Sequence, residues 1–442
     1  MGLDEKEIAL SNQTQYHQQA ASLLLYQSVF ADQIGQTFLA LLEALIASDK
    51  VASLRCYGQW FSAIANQHTS WQRHLIDRIL IADNAFSQQA QTLSDAASLG
   101  SESDRPVAPH VLEAAEHDLA ILQTFYQLSP EQVSHWVSEL CDRTPALPAL
   151  KTTAPTLPFD FINTNSWHKS APPELARHYA THGVGIFSQF KAFRWQSSPA
   201  PGQLIGIATP DPIQLGQLVA YDHPKQQLIQ NTESLLRGYT AQNVLLYGSR
   251  GAGKSSLVKA LLNEYSHQGL RLIEVPKANL HNLPKIVAPL SQTPQKFIIF
   301  VDDLSFEEDD EAFKALKVVL EGGVTARPQN VVVYATSNRR HLIREFFDER
   351  PRPKDADEIQ AWDTVQEKLS FSDRFGLTLT FTPADQPTYL TIVRQLAKQA
   401  NINIDNEHLE WRARQWATRH NGRSGRTARQ FVDFLIAEQT DD

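Results

Sequence analysis

Cysteine is almost missing from this chain: Cys56 and Cys141 are the only two among 442 residues. They stand far apart and without the spacing of metal ligands, so neither a disulfide framework nor a zinc site is expected. So little cysteine fits a reducing compartment, and the predicted location is the cytoplasm. Long apolar runs are missing too, because none approaches the ~18–20 residues that cross a bilayer. The acidic, polar start of the chain does not resemble a signal peptide.

Positive charge is scarce in the N-terminal part of the chain. Residues 1–150 contain 7 Lys and Arg against 17 Asp and Glu, a net charge of −10. The other 292 residues contain 33 against 32, a net charge of +1. An acidic segment is a poor non-specific binder of nucleic acid, because phosphates repel it. We interpret this part as a soluble acidic domain; a surface for partner docking is the alternative.

Helical periodicity predicts a mainly α-helical N-terminal domain over residues 1–145. Apolar residues recur at spacings of three to five from Tyr16 to about Phe86, and the pattern resumes from Val111 to about Leu140. The stretch between these two regions is rich in Ser, Asp, Gly and Pro, which predicts a loop.

Proline marks the next segment, since ten of the 23 prolines lie between Pro145 and Pro212. We predict a connector over residues 146–213 that contains a small strand-rich or irregular subdomain. Four closely spaced aromatic residues lie in it: Phe187, Phe190, Phe193 and Trp195. Core packing is the favoured interpretation of these rings, and base stacking is the alternative.

A different pattern begins at about residue 214. Short apolar runs alternate with helical segments, at Val244–Tyr247, Leu272–Val275, Phe297–Val301 and Val331–Ala335. Such runs are typical of strands buried on both faces of a parallel sheet. The alternation predicts right-handed crossovers and an α/β core over residues 214–385. Helical patterns return over residues 386–442, which predicts a C-terminal helical lid.

One segment matches the phosphate-binding pattern G-x-x-x-x-G-K-[ST] and lies between an apolar run and a helix-forming segment. Its glycines allow close backbone approach to phosphates, and its N–H groups face the anion. We predict that Lys254 contacts the β- and γ-phosphates and that Ser255 ligates Mg²⁺. The predicted phosphate-binding residues are Gly248, Ser249, Arg250, Gly251, Ala252, Gly253, Lys254, Ser255 and Ser256.

Two adjacent acids follow the apolar run Phe297–Val301. A buried strand that ends in acids delivers carboxylates to the edge of the sheet where phosphates bind. We predict that Asp302 holds Mg²⁺ and that Asp303 orients or activates the attacking water. The second acid of this motif is usually Glu. The shorter Asp303 therefore predicts slower water activation, or assistance from Glu307.

Three further residues complete the predicted catalytic set. Asn338 follows the run Val331–Ala335 and could hold the attacking water. Arg374, next to Phe375 and Gly376, could be an arginine finger that reaches the γ-phosphate of a neighbouring subunit, or a surface ion pair with Asp373. Arg426 could reach the nucleotide from the lid. It belongs to a run of six arginines without an acid: Arg412, Arg414, Arg419, Arg423, Arg426 and Arg429. Phosphate sensing is the favoured interpretation of Arg426 and a solvated basic face that of the others, and contact with nucleic acid is the alternative.

These five motifs, in this order, resemble the AAA+ superfamily. The segments VLLYGSRGAGKSSLVKALLNEY, KFIIFVDDLSFE, LEGGVTARPQNVVVYATSNRRHLI, EKLSFSDRFGLT and NGRSGRTARQF are similar to a family of bacterial predicted AAA+ ATPases known only as a domain of unknown function. The resemblance runs from about Val219 to the end, and more loosely upstream. The segment DRFG is also similar to the arginine-finger region of branch-migration helicase motors.

The resemblance implies a P-loop NTPase core with a parallel sheet and a helical lid, and a requirement for ATP and Mg²⁺. It also implies a homo-oligomeric ring or partial ring, and places Tyr221 in the adenine-contacting segment. Two functions follow: an ATPase that remodels an unknown protein or nucleic-acid client, or a slow ATP-gated assembly or recruitment module. A metabolic kinase is a third, disfavoured function, because a kinase does not require Asn338, Arg374 and Arg426 in this order. The charged, Pro-rich loop 346–362 is either a client contact or an unstructured insertion.

Overall fold

The computed structural model describes residues 3–92, 107–150, 158–198, 201–305, 316–317, 320, 328–338, 374–420 and 422–440, with the backbone alone at 3–11 and 439–440. Tertiary contacts divide the chain into two compact units, Met1–Gln189 and Phe190–Asp442. Among the described residues, no helix is both long enough and apolar enough to cross a membrane. Both cysteines are free.

The first unit is helical, as the apolar periodicity predicts. Several of its helices have a polar N-cap, whose side chain accepts hydrogen bonds from first-turn N–H groups. These N-caps are Asp32, Asp49, Ser70 and Ser129. The helices are α1 (Leu3–Ala21), α2 (Gln33–Ile46), α3 (Lys50–Asn66), α4 (Trp71–Leu80), α5 (Ala85–Ala90), α6 (Pro109–Gln127), α7 (Pro130–Leu140), α8 (Trp167–His182) and α9 (Gly185–Gln189). Their apolar faces share one core, rich in buried aromatic rings.

The segment 146–213, predicted as a connector, contributes to both units. Helix α8 packs into the helical core through the buried Trp167 and Tyr179. Strands β1 (Ala192–Gln196) and β2 (Gln203–Ile207) form an antiparallel hairpin that joins the sheet of the second unit. The hairpin buries Phe193 and Trp195, which confirms core packing for these two rings.

Among its described residues, the second unit is built on one sheet of seven strands. The remaining strands are β3 (Val244–Gly248), β4 (Leu270–Glu274), β5 (Lys296–Val301), β6 (Val331–Ser337) and β7 (Leu377–Phe381), and the spatial order is β2-β1-β4-β5-β6-β3-β7. All neighbours except β1 and β2 run parallel. The four predicted apolar runs are the four central strands, whose side chains are almost entirely buried. The predicted α/β core is confirmed.

The sequence pattern missed β7. Its segment, LTLTF, is short and alternates exposed with buried side chains, because it lies at the edge of the sheet. Helices between the strands are α10 (Asp222–Leu236), α11 (Lys254–Tyr265) and α12 (Leu283–Leu290). Parallel strands joined in this way place all their carboxyl ends at one edge.

Three helices at the C-terminus form the predicted lid. They are α13 (Gln386–Gln399), α14 (Asn406–Arg419) and α15 (Gly425–Thr440). Asp385 and Asp405 cap the first two by accepting hydrogen bonds from their first-turn N–H groups. The helices share a separate apolar core that includes Tyr389, Leu409 and Phe431.

Candidate nucleotide site

The loop between β3 and α11 has the backbone of an anion-binding turn. Gly248, Gly251 and Gly253 have φ values of +135°, +74° and +85°, a region that side chains with a Cβ rarely adopt. A Cβ on Gly248 would lie 2.0 Å from the carbonyl oxygen of Phe381. Helix α11 then begins at Lys254, so the positive end of its dipole faces the loop.

Lys254 is 7% exposed and lies inside this loop. Its Nζ donates hydrogen bonds of 2.8 Å to the carbonyls of Gly248 and Ser249, and a longer one of 3.3 Å to Asn338 Oδ1. Burial lowers the pKa of Lys254, while the charges of Asp302 and Asp303 act in the opposite direction. The ammonium is thus held at the point where a bound phosphate would meet the loop.

Asp302 follows β5 and faces the start of α11. Its Oδ1 accepts a hydrogen bond of 2.6 Å from Ser255 Oγ. The same oxygen accepts a second hydrogen bond from the hydroxyl of Thr336. A carboxylate and a hydroxyl are the hard oxygen donors that Mg²⁺ prefers, so these two residues suit that ion.

Asp303 adopts a left-handed backbone conformation with φ of +51°. Its carboxylate accepts a hydrogen bond of 2.7 Å from Asn338 Nδ2, and its N–H donates to Thr336 Oγ1 at 3.0 Å. Lys254, Asn338 and Asp303 therefore form a continuous chain of hydrogen bonds. Sequence reasoning did not single out Thr336; the available signal was a polar residue where an apolar strand ends.

One cavity of about 630 Å³ collects these groups at the carboxyl edge of the sheet. Its lining contains the predicted residues Arg250, Gly251, Ala252, Gly253, Lys254, Ser255, Ser256, Asp302, Asp303, Asn338 and Arg426. Apolar contacts come from Ile213, Leu218, Tyr221, Phe381 and Ile392. A cavity lined by both charged and apolar side chains suits a nucleotide, which has charged phosphates and an apolar base.

Tyr221, predicted in the adenine-contacting segment, lines the cavity. It precedes α10 in a left-handed conformation, with φ of +60°. Its hydroxyl donates to the carbonyl of Thr382 at 2.7 Å, and its ring centre lies 5.2 Å from that of Phe381. Lys225, one turn into α10, donates to the carbonyls of Leu215 and Leu218 and fixes the preceding segment.

The lid contacts the phosphate loop directly. The N–H of Arg426 donates to the carbonyl of Gly251 at 3.2 Å. Two glycines permit this approach: a Cβ on Gly251 would lie 2.9 Å from Ser424 Oγ, and one on Gly425 would lie 3.0 Å from the Gly251 carbonyl oxygen. Arg429 and Gln430, which sequence reasoning did not assign to the site, also line the cavity.

Arg374 does not line the cavity. It precedes β7, whereas the phosphate loop follows β3, and these two strands are parallel and adjacent. Arg374 therefore lies at the amino edge of the sheet, and the cavity lies at the carboxyl edge. Five residues of strand separate the two edges by roughly 17 Å.

The arginine run of the lid is divided between several partners. Arg412 pairs with Glu438 at 2.6 Å and Arg414 pairs with Glu410 at 2.9 Å. Arg423 donates to Gln386. The run therefore contains two acid-paired arginines and two that face the cavity, Arg426 and Arg429.

Three sequence predictions concern residues that the structure does not describe: Glu307, the loop 346–362 and Asp373.

A family model described as a protein of unknown function, DUF815, matches residues 188–439. The chain belongs to the DUF815 family. This confirms the resemblance over the sheet and lid. The matched range begins after the N-terminal stretches that the resemblance also included, so they lie outside it.

The DUF815 chain is also similar to two curated AAA+ proteins. It is 24% identical over 193 residues to the Holliday junction branch migration complex subunit RuvB of Mycoplasmopsis synoviae, covering 42% of this chain and 56% of that protein. It is 43% identical over 65 residues to the replication factor C large subunit of Staphylothermus marinus, covering 14% and 15%. The DUF815 chain thus spans little more than half of the first relative. These similarities support its place in the AAA+ superfamily.

Solved structures of RuvB from Thermotoga maritima also match. One, described as a Holliday junction branch migration motor, is 14% identical and has a TM-score of 0.30. Another has a TM-score of 0.31. Each match covers 50% of this chain and 72% of the RuvB chain.

Proposed function

We propose that this DUF815 chain binds ATP with Mg²⁺ and hydrolyses it at sites shared between subunits of a homo-oligomer, and that hydrolysis remodels a protein or nucleic-acid client. One observation carries the proposal. A lysine, a hydroxyl, two carboxylates, an amide and a lid arginine, from four separate segments, all line a single cavity at the carboxyl edge of the sheet.

Phosphate binding is the role of the loop and of Lys254. On binding, the ammonium exchanges its hydrogen bonds to the Gly248 and Ser249 carbonyls for the β- and γ-phosphate oxygens. Ser255 and Asp302 are the residues that would hold Mg²⁺. When bound, this ion supplies positive charge to the phosphates during transfer.

Water activation is the proposed role of Asp303, with Asn338 as the residue that positions the water. Their hydrogen bond of 2.7 Å places the amide beside the carboxylate. Arg426 would bind phosphate oxygens from the lid. Arg374 lies at the opposite edge of the sheet, so we assign it to the site of a neighbouring subunit, where its guanidinium would stabilise charge on the γ-phosphate.

The nature of the client is suggested only by the relatives. RuvB is named for Holliday junction branch migration, and the second relative for replication. A nucleic-acid client is consistent with those names, whereas the acidic residues 1–150 disfavour non-specific binding of nucleic acid.

A second candidate function is an ATP-gated assembly or recruitment module with slow hydrolysis. It is favoured by the short carboxylate of Asp303, which accepts a hydrogen bond from Asn338 Nδ2. In this case ATP binding, and not turnover, would control the assembly state.

The first experiment is steady-state ATPase activity as a function of protein concentration, with Mg²⁺ and with or without single- and double-stranded DNA. Lys254→Ala serves as the control for contaminating ATPases. We expect specific activity to rise with protein concentration, because sites complete only when subunits meet. Stimulation by DNA would indicate a nucleic-acid client.

Two results would reject the main proposal. Activity unaffected by Lys254→Ala would mean that it does not arise at this cavity. Tight ATP binding with turnover far below about one per second, where ordinary enzyme rates begin, would favour the ATP-gated module.

A further inference from the structure

Thr336 is the least exposed polar side chain that lines the cavity, at 2% exposure. It lies near the end of β6, between β5 and β3 in the sheet. None of the roles proposed above uses its hydroxyl. Its contacts nevertheless involve both acids of the site.

The hydroxyl of Thr336 makes two hydrogen bonds of opposite direction. It donates to Asp302 Oδ1 and accepts from the backbone N–H of Asp303 at 3.0 Å. The carbonyl of Thr336 accepts from the N–H of Leu304 at 2.7 Å. Three hydrogen bonds thus connect one residue of β6 to three consecutive residues after β5.

Few side chains can make this pair of bonds. Ser and Thr hydroxyls both donate and accept at one atom, whereas an aliphatic side chain of the same shape does neither. The hydrogen bond from the Asp303 N–H to the Thr336 hydroxyl also helps to hold Asp303 in its left-handed conformation, with φ of +51°. Residues with a side chain adopt this region at a cost in free energy. Without the Thr336 hydroxyl, the turn at Asp303 would lose a hydrogen bond that stabilises this conformation.

Orientation of Asp302 depends on the same group. Ser255 and Thr336 donate to one oxygen of the carboxylate, from α11 and β6 respectively. Two donors from different elements fix the plane of a carboxylate better than one. Partners that orient metal ligands in this way affect metal affinity and activity, typically by 10–100-fold.

We propose that Thr336 is a positioning residue that sets Asp302 for Mg²⁺ and Asp303 for the attacking water through one hydroxyl. The proposal rests on the function proposed above. It predicts that loss of the hydroxyl impairs the response to Mg²⁺ and the rate of hydrolysis, but not the binding of nucleotide as such.

The test compares wild type, Thr336→Val and Thr336→Ser by calorimetric titration with ATP, first in EDTA and then at a series of Mg²⁺ concentrations. Thr232→Val is the matched control, because Thr232 is a fully buried threonine whose hydroxyl bonds Leu228 and Tyr334 away from the cavity. Steady-state kcat and KM are measured in parallel.

We expect all four proteins to bind ATP in EDTA within about twofold of one another. In Thr336→Val, the Mg²⁺ concentration needed for half-maximal enhancement should rise by about 10-fold or more, and kcat should fall by roughly 10–100-fold with little change in KM. Thr336→Ser and Thr232→Val should behave as wild type.

Three results would overturn the proposal. They are a wild-type Mg²⁺ response in Thr336→Val, a defect in Thr336→Ser equal to that in Thr336→Val, and loss of ATP binding in EDTA by Thr336→Val. The last would mean a general structural role. If the wild type binds ATP but never hydrolyses it, the proposed ATPase function fails, while the Mg²⁺ titrations still decide the role of Thr336.

Discussion

At the scale of single residues, we expect the side chain of Asp303 to limit the rate of the proposed hydrolysis. Its carboxylate is one methylene shorter than Glu and is bonded to Asn338, which in turn accepts from Lys254. A phosphate that draws Lys254 away would break one end of this chain and leave Asn338 and Asp303 available for water. Hydrogen bonds thus join Lys254, Asn338 and Asp303 directly to one another.

Replacement of Asp303 by Asn should separate binding from hydrolysis. The amide keeps the size of the side chain but cannot accept a proton, and general bases typically contribute 10²–10⁴-fold to rate. We expect kcat to fall by at least about 100-fold, with ATP affinity within a few-fold of wild type. Turnover and equilibrium binding of ATP measure the two effects. An unchanged kcat would remove Asp303 from the proposed mechanism.

At the scale of secondary-structure elements, the main feature of the site is the contact between the lid and the phosphate loop. Helix α15 begins where Gly425 faces the carbonyl of Gly251, and the Arg426 N–H bonds the same carbonyl. The contact is made by backbone atoms of both elements. We expect nucleotide binding at the loop to be coupled to the lid through this contact.

Gly425→Ala tests this contact. The new Cβ would lie 3.0 Å from the Gly251 carbonyl oxygen, closer than ordinary packing allows. Overpacking costs at least about 1 kcal/mol, so we expect ATP affinity to fall roughly five-fold or more. Gly58→Ala is the control, because it lies in a helix with no atom near the new Cβ. Equal ATP affinities in both variants would show that the contact is not coupled to binding.

Helix α8 contains an element-scale source of pH dependence. Burial, with a smaller contribution from the nearby His182, lowers the pKa of His178 to about 4. Between pH 6.5 and pH 4, the unfolded chain binds a proton at this imidazole and the folded chain does not. The free energy of unfolding should therefore fall as pH falls through this window, by up to about 2–3 kcal/mol.

Urea unfolding of the full chain between pH 7 and pH 4.5 measures this effect. His178→Gln cannot titrate, so its unfolding midpoint should depend less on pH than that of wild type. His135→Gln is the control, because this imidazole is 72% exposed. Parallel pH profiles for wild type and His178→Gln would show that another group causes the acid sensitivity.

At the scale of the whole molecule, the position of Arg374 decides whether one chain is a complete enzyme. The arginine lies at the amino edge of the sheet and the cavity at the carboxyl edge. A single chain then lacks a cation that the proposed mechanism uses. In the proposed homo-oligomer, the same arrangement would let one subunit act on the nucleotide of the next.

Mixing two inactive variants provides the test. Lys254→Ala has a damaged cavity and an intact Arg374, whereas Arg374→Ala has the reverse. Each alone should lose most activity, since arginine fingers contribute ~10³–10⁵ in rate. Their mixture should recover activity, because some interfaces combine an intact cavity with an intact arginine. A mixture no more active than its components, with both shown to co-assemble, would reject shared sites.

The sequence by itself determined the central strands and most of the polar side chains that line the cavity. The phosphate loop, the two acids and Asn338 could be predicted because each follows a continuous apolar run, and strands buried on both faces require such runs. It also determined the lid, whose helices keep a regular apolar period.

Tertiary structure decided what depends on neighbours distant in the chain. Strand β7 could not be predicted because an edge strand needs apolar side chains on one face only. The composition of the segment 146–213 does not show that it divides between the two units. Only packing assigns α8 to the helical core and β1 to the sheet. Thr336 was missed for the same reason. A hydroxyl at the end of a strand becomes significant only when the pairing of β5 with β6 brings two acids beside it.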